Sequence, residues 1–270
     1  MKVSIFLLSV AFLFVGCERQ ASAPSPEAPA RVQETIVDLT YPFDKDTVYW
    51  VTAKEFEHET VFAGMNPKGY YYSAYNYSGA EHGGTHIDSP VHFAEGKMSV
   101  DELPVEKLVG DAVKVDVSSK AASDKDYLVS VADLEAWEKA NGTIPEGAIV
   151  LLETGWGQFY PDKEKYLGTA NRGEAAVKEL HFPGLDPDAA KWLVENRKIK
   201  AVGIDTASID RGQSQTFGSH VALMTNDVPA FENVAHLEKV PAKGFRIIAL
   251  PMKIKGGSGA PLRIIALVGS

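Results

Sequence analysis

An α/β domain, a mixed sheet with flanking helices, is the fold class this sequence predicts, and three observations carry the prediction. Consecutive apolar runs such as Ala148-Ile149-Val150-Leu151-Leu152 recur along the chain, as strands buried on both faces require. Between them lie segments with apolar residues at helical spacing and with capping residues at their starts. The two kinds alternate instead of segregating, which is the pattern of layered α/β domains. No internal repeat of fixed period is visible.

Taken in order, Thr35-Ile36-Val37-Asp38-Leu39-Thr40 alternates and reads as the first strand. Tyr70, Tyr71, Tyr72, Tyr75 and Tyr77 crowd the next segment, and aromatic residues at alternating positions suit a strand core. The same tyrosines would also serve as a wall for a flat aryl ligand, with Tyr71, Phe93 and Phe217 as candidate contacts. Ala112 to Val117 and Ala148 to Glu153 follow as strands. Ser130 can cap a helix running through Leu134 and Trp137 to Ala140, since Asp133 completes a capping box and Gly142 follows its end. A second helix begins at Asp186-Pro187, carries Ala189, Ala190, Leu193 and Val194 inward, and stops before Lys200. Ala201 to Asp205 is another buried strand. Phe245 to Leu250 and Leu262 to Leu267 are a similar pair flanking Gly256-Gly257-Ser258-Gly259.

The ends divide the chain. Lys2 precedes an apolar run from Val3 to Val15, a secretory signal too short for an ordinary membrane-spanning helix. Phe14-Val15-Gly16-Cys17 resembles a bacterial lipobox, which makes residues 1–17 a lipoprotein signal and Cys17 the lipidated residue; a plain secretory signal or a retained anchor is the alternative. With Glu18 after the cysteine, the expected place is the periplasmic face of the envelope, on the outer membrane. Residues 18–34, rich in Ala, Ser and Pro, form a tether, and residues 35–270 form one domain. Cys17 is the only cysteine, so the mature fold has no disulfide. A net charge of −9 without a basic patch excludes nucleic acid as an expected partner.

The chemistry concentrates in Glu81-His82-Gly83-Gly84-Thr85-His86-Ile87-Asp88-Ser89-Pro90-Val91-His92-Phe93, which holds three of the seven histidines. Alternation in a strand running from Thr85 would turn His86, Asp88 and His92 to one face, and His82 can fold back across the glycine pair. Pro90 argues against a helix here and for a strand end. Imidazole and carboxylate without thiolate suit a borderline divalent cation, Zn2+ or Mn2+. The bland alternative is a polar loop whose histidines only form hydrogen bonds, and the ligand density counts against it. His58, His181 and His236 have no partner pattern and read as surface or core residues.

At these residues the chain resembles the cyclase family, which contains bacterial kynurenine formamidase and isatin hydrolase. The family pattern His-x-Gly-Thr-His-x-Asp-x-Pro-x-His-Phe is filled at His82, Gly84, Thr85, His86, Asp88, Pro90, His92 and Phe93. The resemblance extends over nearly all of the chain beyond the leader, including Thr154-Gly155-Trp156, Phe182-Pro183-Gly184-Leu185 and Gly203-Ile204-Asp205. It implies metal ligation by His82, His86 and Asp88 and a catalytic role for His92. It further implies a remote pair, His220 and Glu232, at the family's twelve-residue separation, for one or two ions with Asp88 between them. A swivelling β/β/α-type fold and a homodimer are also implied. Glu153 stands where some relatives carry a basic residue, which puts a substrate contact there in doubt.

The expected activity is metal-dependent hydrolysis of a carbon–nitrogen amide bond, in a small N-acyl arylamine such as N-formylkynurenine or in an isatin-like lactam. Export favours the lactam, because N-formylkynurenine arises inside cells. The rival reading is a lipid-anchored metal- or ligand-binding protein without turnover. His92 separates the two, since a pure binding site has no use for an extra imidazole beside the ligands.

Overall fold

The computed structural model describes residues 34–269; the leader with Cys17, and the tether up to residue 33, lie outside the described residues. The strands are β1 (Glu34–Asp38), β2 (Glu57–Met65), β3 (Tyr71–Ser78), β4 (His86–Asp88), β5 (Val109–Asp116) and β6 (Leu128–Val129). They continue with β7 (Ile149–Glu153), β8 (Gly184–Leu185), β9 (Ala201–Ile204), β10 (Ala230–Glu232), β11 (Phe245–Pro251) and β12 (Gly259–Gly269). The α-helices are α1 (Val105–Leu108), α2 (Ser118–Ala121), α3 (Val131–Asn141), α4 (Lys163–Leu167), α5 (Pro187–Trp192) and α6 (Gly218–Met224).

Eight strands form one mixed sheet in the order β1-β12-β11-β5-β7-β9-β10-β4. The stretch β5-β7-β9-β10 is parallel, and the remaining pairings are antiparallel. β4 also pairs with the start of β12, so the sheet closes on itself and β4 is the seam. The fold is α/β with a mixed sheet and flanking helices, as the sequence predicts.

Alternation along the parallel strands explains why both faces are apolar. Val113, Val115, Val150, Leu152, Val202 and Ile204 pack with Leu134, Trp137, Ala189, Ala190 and Leu223 from α3, α5 and α6, and with Leu193 just beyond α5. Ala112, Ile149, Leu151 and Ala201 face the other way, into a second core with Ile87, Phe231, Ile247, Ala249 and Ile264. α3 starts with both bonds of the capping box between Ser130 and Asp133 and ends at Gly142. α5 is capped by Asp186 and continues into a wider π turn through Arg197, ending at left-handed Lys198.

Two expectations are corrected here. β4 ends at Asp88, just before the expected strand end at Pro90, but Pro90–His92 form a 3-10 turn where no helix was expected, so His92 reaches the site from that turn and not by strand alternation. Proline at the first position of that turn fits because its missing N–H would have had no partner there. The tyrosine-rich segment is neither strand core nor wall: β2 and β3 pair only with each other, and Tyr71, Tyr72, Tyr75 and Tyr77 lie exposed on this ribbon. Their neighbours are cross-strand rings, such as His58 on Tyr75 at 4.7 Å and Phe62 on Tyr72 at 6.0 Å.

Candidate active site

The seam strand carries the chemistry. His86 and Asp88 alternate with Ile87, so both polar side chains project to the face opposite the apolar core that takes Ile87. Across the antiparallel pairing Glu232 stands directly opposite His86, and Phe231 stands opposite Ile87. Directly paired residues share a face, which brings Glu232 to the same side as His86. His82 arrives from the turn before β4. There the backbone of Gly83 pairs with Tyr49, and a Cβ on Gly83 would fall 2.1 Å from the Tyr49 ring, so only glycine allows the approach. His220 comes from α6, whose first turn is capped by Asp210: the Ser219 and His220 amides both donate to its carboxylate.

The five groups converge. His82 Nδ1 lies 2.6 Å from Asp88 Oδ1, and His86 Nε2 lies 3.2 Å from the same oxygen. His220 Nε2 is 3.0 Å from Asp88 Oδ2 and 3.2 Å from Glu232 Oε1. Glu232 Oε2 is 3.4 Å from His86 Nε2. Two ligand sets result, His82/His86/Asp88 and Asp88/His220/Glu232, sharing the Asp88 carboxylate. Asp88, His86, His220 and Glu232 are buried, and His82 is partly so. His86 Nε2 is enclosed yet has no hydrogen-bond partner, while its Nδ1 is bonded to the Gly84 carbonyl at 2.9 Å. A buried nitrogen aimed at two carboxylates without a partner is what a cation would satisfy. These residues therefore fit a divalent ion.

Burial and mutual charge shape the protonation. Burial raises the Asp88 carboxyl, but His82, His220 and His86 overcome it and hold the group well below the usual carboxylate range. Burial opposes the charge on His86, yet Asp88, Glu232 and the Gly84 carbonyl push it up to about 9. His220 is likewise raised, with Asp210, Asp88 and Glu232 outweighing burial, and Glu232 is raised by burial and by Asp88. His92 behaves oppositely. Burial is the main cause that lowers it to about 4, and the neighbouring histidines add to the effect against Asp88. Its ring stacks on His82 at 3.8 Å and meets Phe93 edge-on at 4.6 Å.

A cavity of about 260 Å³ opens over the cluster, lined by Val48, Tyr49, Trp50, His92, Phe93, Ala207, Ser208 and Phe217 together with the five converging groups. Phe93 stacks on the His220 ring at 4.3 Å and lies 5.4 Å from Phe217, which in turn lies 6.2 Å from Trp50. The structure thus brings His82, His86, Asp88, His92, Phe93, Phe217, His220 and Glu232 to one place. It leaves Tyr71 outside, 64% exposed on the β2–β3 ribbon, and Trp50 stands in the wall instead. Trp50 and Tyr49 carry no local signal, because they reach the site through the long-range contact with Gly83. Asp210 was equally invisible in sequence. Glu153 is away from the cavity, buried in an ion pair with Lys114 at 2.5 Å. His181 bonds Asp126 at 2.8 Å, while His58 and His236 lie on the ribbon and in a loop.

A non-ligand imidazole beside a cation-ready cluster, under an apolar roof, is the layout of a metal-dependent hydrolase, and the similar proteins make the class amide hydrolases. The family model described as "Putative cyclase" matches residues 37–211, and the chain belongs to that family. It is similar to the isatin hydrolase of Roseibium aggregatum, at 34% identity over 196 residues, which cover 70% of this chain and 72% of the relative. It is also similar to the kynurenine formamidase of Bacillus mycoides, at 27% identity over 229 residues, 85% of this chain and 95% of that one. Among solved structures, isatin hydrolase A from Labrenzia aggregata bound to benzyl benzoate superposes with a TM-score of 0.80 at 34% identity, covering 88% of this chain and 94% of that one. An isatin hydrolase bound to the product analogue thioisatinate gives 0.79 at 29% identity, covering 88% and 93%.

Proposed function

We propose that the protein opens the carbon–nitrogen amide bond of a flat, isatin-like lactam, using Zn2+ or Mn2+ at one or two positions. The ligands in this reading are His82, His86 and Asp88, with His220 and Glu232 on the far side of Asp88. The observation that carries the substrate class is the cavity, whose small volume and Trp50-Phe217-Phe93 wall suit a planar ring better than a chain with a polar tail. When bound, a divalent ion polarises the substrate carbonyl and acidifies water.

The chain's own residues do the rest. The aromatic wall holds the ring and excludes bulk water. His92, a free base at neutral pH, takes a proton from the attacking water as its oxygen adds to the carbonyl carbon. The same imidazole returns that proton to the ring nitrogen as the carbon–nitrogen bond breaks, leaving an amine and a carboxylic acid, which releases the water's second proton to solvent as it ionises at neutral pH. Asp88, held ionised by its histidines, gives the cluster the negative charge that a cation needs.

Absorbance assays with isatin and with N-formylkynurenine, under added Mn2+, added Zn2+ or chelator, test the reading. Faster opening of isatin and loss of both reactions with chelator are expected. Efficient N-formylkynurenine hydrolysis with no opening of any cyclic amide would overturn the substrate class.

The reading includes an exported enzyme, anchored by lipid at Cys17 on the periplasmic face of the outer membrane, for which the leader sequence and Glu18 are the support. Cys17→Ser should abolish lipid labelling and membrane fractionation, and a soluble, unlipidated wild type would refute the anchor. A homodimer completes it, and light scattering that reports a monomer would remove that part.

A further inference from the structure

We infer that Glu81 and Ser258 form a positioning relay that sets which nitrogen of His82 faces the metal site. The inference rests on the metal site proposed above. His82 Nε2 lies 2.8 Å from Ser258 Oγ, and Ser258 Oγ lies 2.9 Å from Glu81 Oε2. The carboxylate can only accept, so the serine hydroxyl proton points to Glu81. The serine lone pair is then left to accept from His82 Nε2–H. That fixes a proton on Nε2, so Nδ1, which shares a proton with Asp88 Oδ1 at 2.6 Å, is the nitrogen that faces the shared site and would give up that proton to an ion.

The other two histidines are set by shorter routes. His86 Nδ1 donates to the Gly84 carbonyl, and His220 Nδ1 donates to Asp210 at 2.6 Å, which leaves Nε2 inward in each. His82 alone is oriented through an intermediary, and it alone presents Nδ1. It is also the most exposed of the three, with 23% of its side chain accessible, so water competes for it and a fixed partner matters more.

The glycine-rich turn exists to press the serine into place. A Cβ on Gly259 would stand 2.5 Å from His82 Cε1, and one on Gly257 would stand 3.1 Å from Glu81 Oε1. Glu81 Oε2 also takes the amide protons of Ser258 at 2.9 Å and Gly259 at 3.3 Å, so one oxygen fixes both the loop and the hydroxyl. From the other side the Ser258 carbonyl accepts from the Ser89 amide at 2.8 Å, one residue beyond Asp88.

The test is zinc affinity of the full chain by competition with a chelating dye, paired with imidazole nitrogen NMR of the zinc-loaded protein. Ser258→Ala keeps the backbone bonds to Glu81 but cuts the relay. It should lower affinity roughly tenfold or more and abolish the slowly exchanging His82 Nε2–H signal. Glu81→Ala should do the same, whereas Glu81→Gln, whose amide oxygen can accept the same three donors, should stay within about threefold of wild type. Wild-type affinity and an unchanged His82 signal in Ser258→Ala would overturn the relay. If Glu81→Ala fails to fold, the Ser258→Ala and Glu81→Gln pair decides. A wild-type chain that binds no zinc would instead sink the metal site itself.

Discussion

Replacing His92 with alanine separates binding from chemistry. His92 touches the cluster through its ring face on His82 and is a member of neither ligand set, so the five converging groups keep their partners when it is removed. The two close ring contacts, on His82 and Phe93, are worth about 0.5–1.5 kcal/mol each, and the edge-on contact with His220 at 6.0 Å adds less. For a domain of this size, a loss of roughly 1–3 kcal/mol lowers the melting temperature by roughly 2–12 °C, so the variant should be folded at 25 °C. Loss of a general base costs about 10²–10⁴ in rate, or roughly 3–5 kcal/mol of barrier. Steady-state lactam opening with saturating Mn2+ and metal content after desalting are the paired measurements. Added imidazole should recover part of the rate by entering the vacated space. Activity within tenfold of wild type with metal retained would refute the base assignment, and loss of metal would make His92 a ligand.

Glu232→Gln keeps shape but removes charge from the far ligand set, and metal affinity should fall roughly tenfold or more; unchanged metal content and kinetics would remove Glu232 from the site. Because His86 is raised to about 9 and His220 higher than usual, both carry protons near neutral pH until an ion displaces them. Affinity should therefore rise with pH below 9, by about tenfold per unit for each displaced proton. Calorimetry in buffers of different ionisation heat checks this, and heats independent of buffer would contradict it. Trp50→Ala should raise KM for a lactam by about fivefold or more, while Tyr71→Ala leaves KM unchanged; equal effects would return the ribbon to the site.

How much of this was legible in sequence follows the range of the contacts involved. The buried strands and the two long helices were readable because each rests on local information: consecutive apolar runs, Ser130 with Asp133, and Asp186 with Pro187. The ligand cluster from His82 to Asp88 was readable for the same reason, while His220 and Glu232 needed the family pattern. Three features were not readable. The bend at Pro90 depends on where β12 ends its pairing with β4. The tyrosines look like a core because β propensity reports fit to a pleated surface, and nothing in their sequence says whether a third layer covers them. Trp50, Asp210 and the Glu81–Ser258 relay act across long stretches of chain, and no spacing rule reaches that far.

The seam strand has one more consequence. β4 spans only three residues, yet it is laced to β10 on one flank and β12 on the other, and His86 and Asp88 sit on those same rungs. An ion held by Asp88, His220 and Glu232 would tie β4 to β10 from above, much as a cross-link does, and by mass action it would stabilise the joined state over the parted one. Stripping the ion should therefore be felt as local loosening before any global melting. Amide protons of Ile87 and Phe231 should begin to trade with solvent deuterium, and the loop after Asp88 should become open to protease, while the strands packed under α3 and α5 stay protected. In such a molecule a chelator is a conformational reagent as well as an inhibitor.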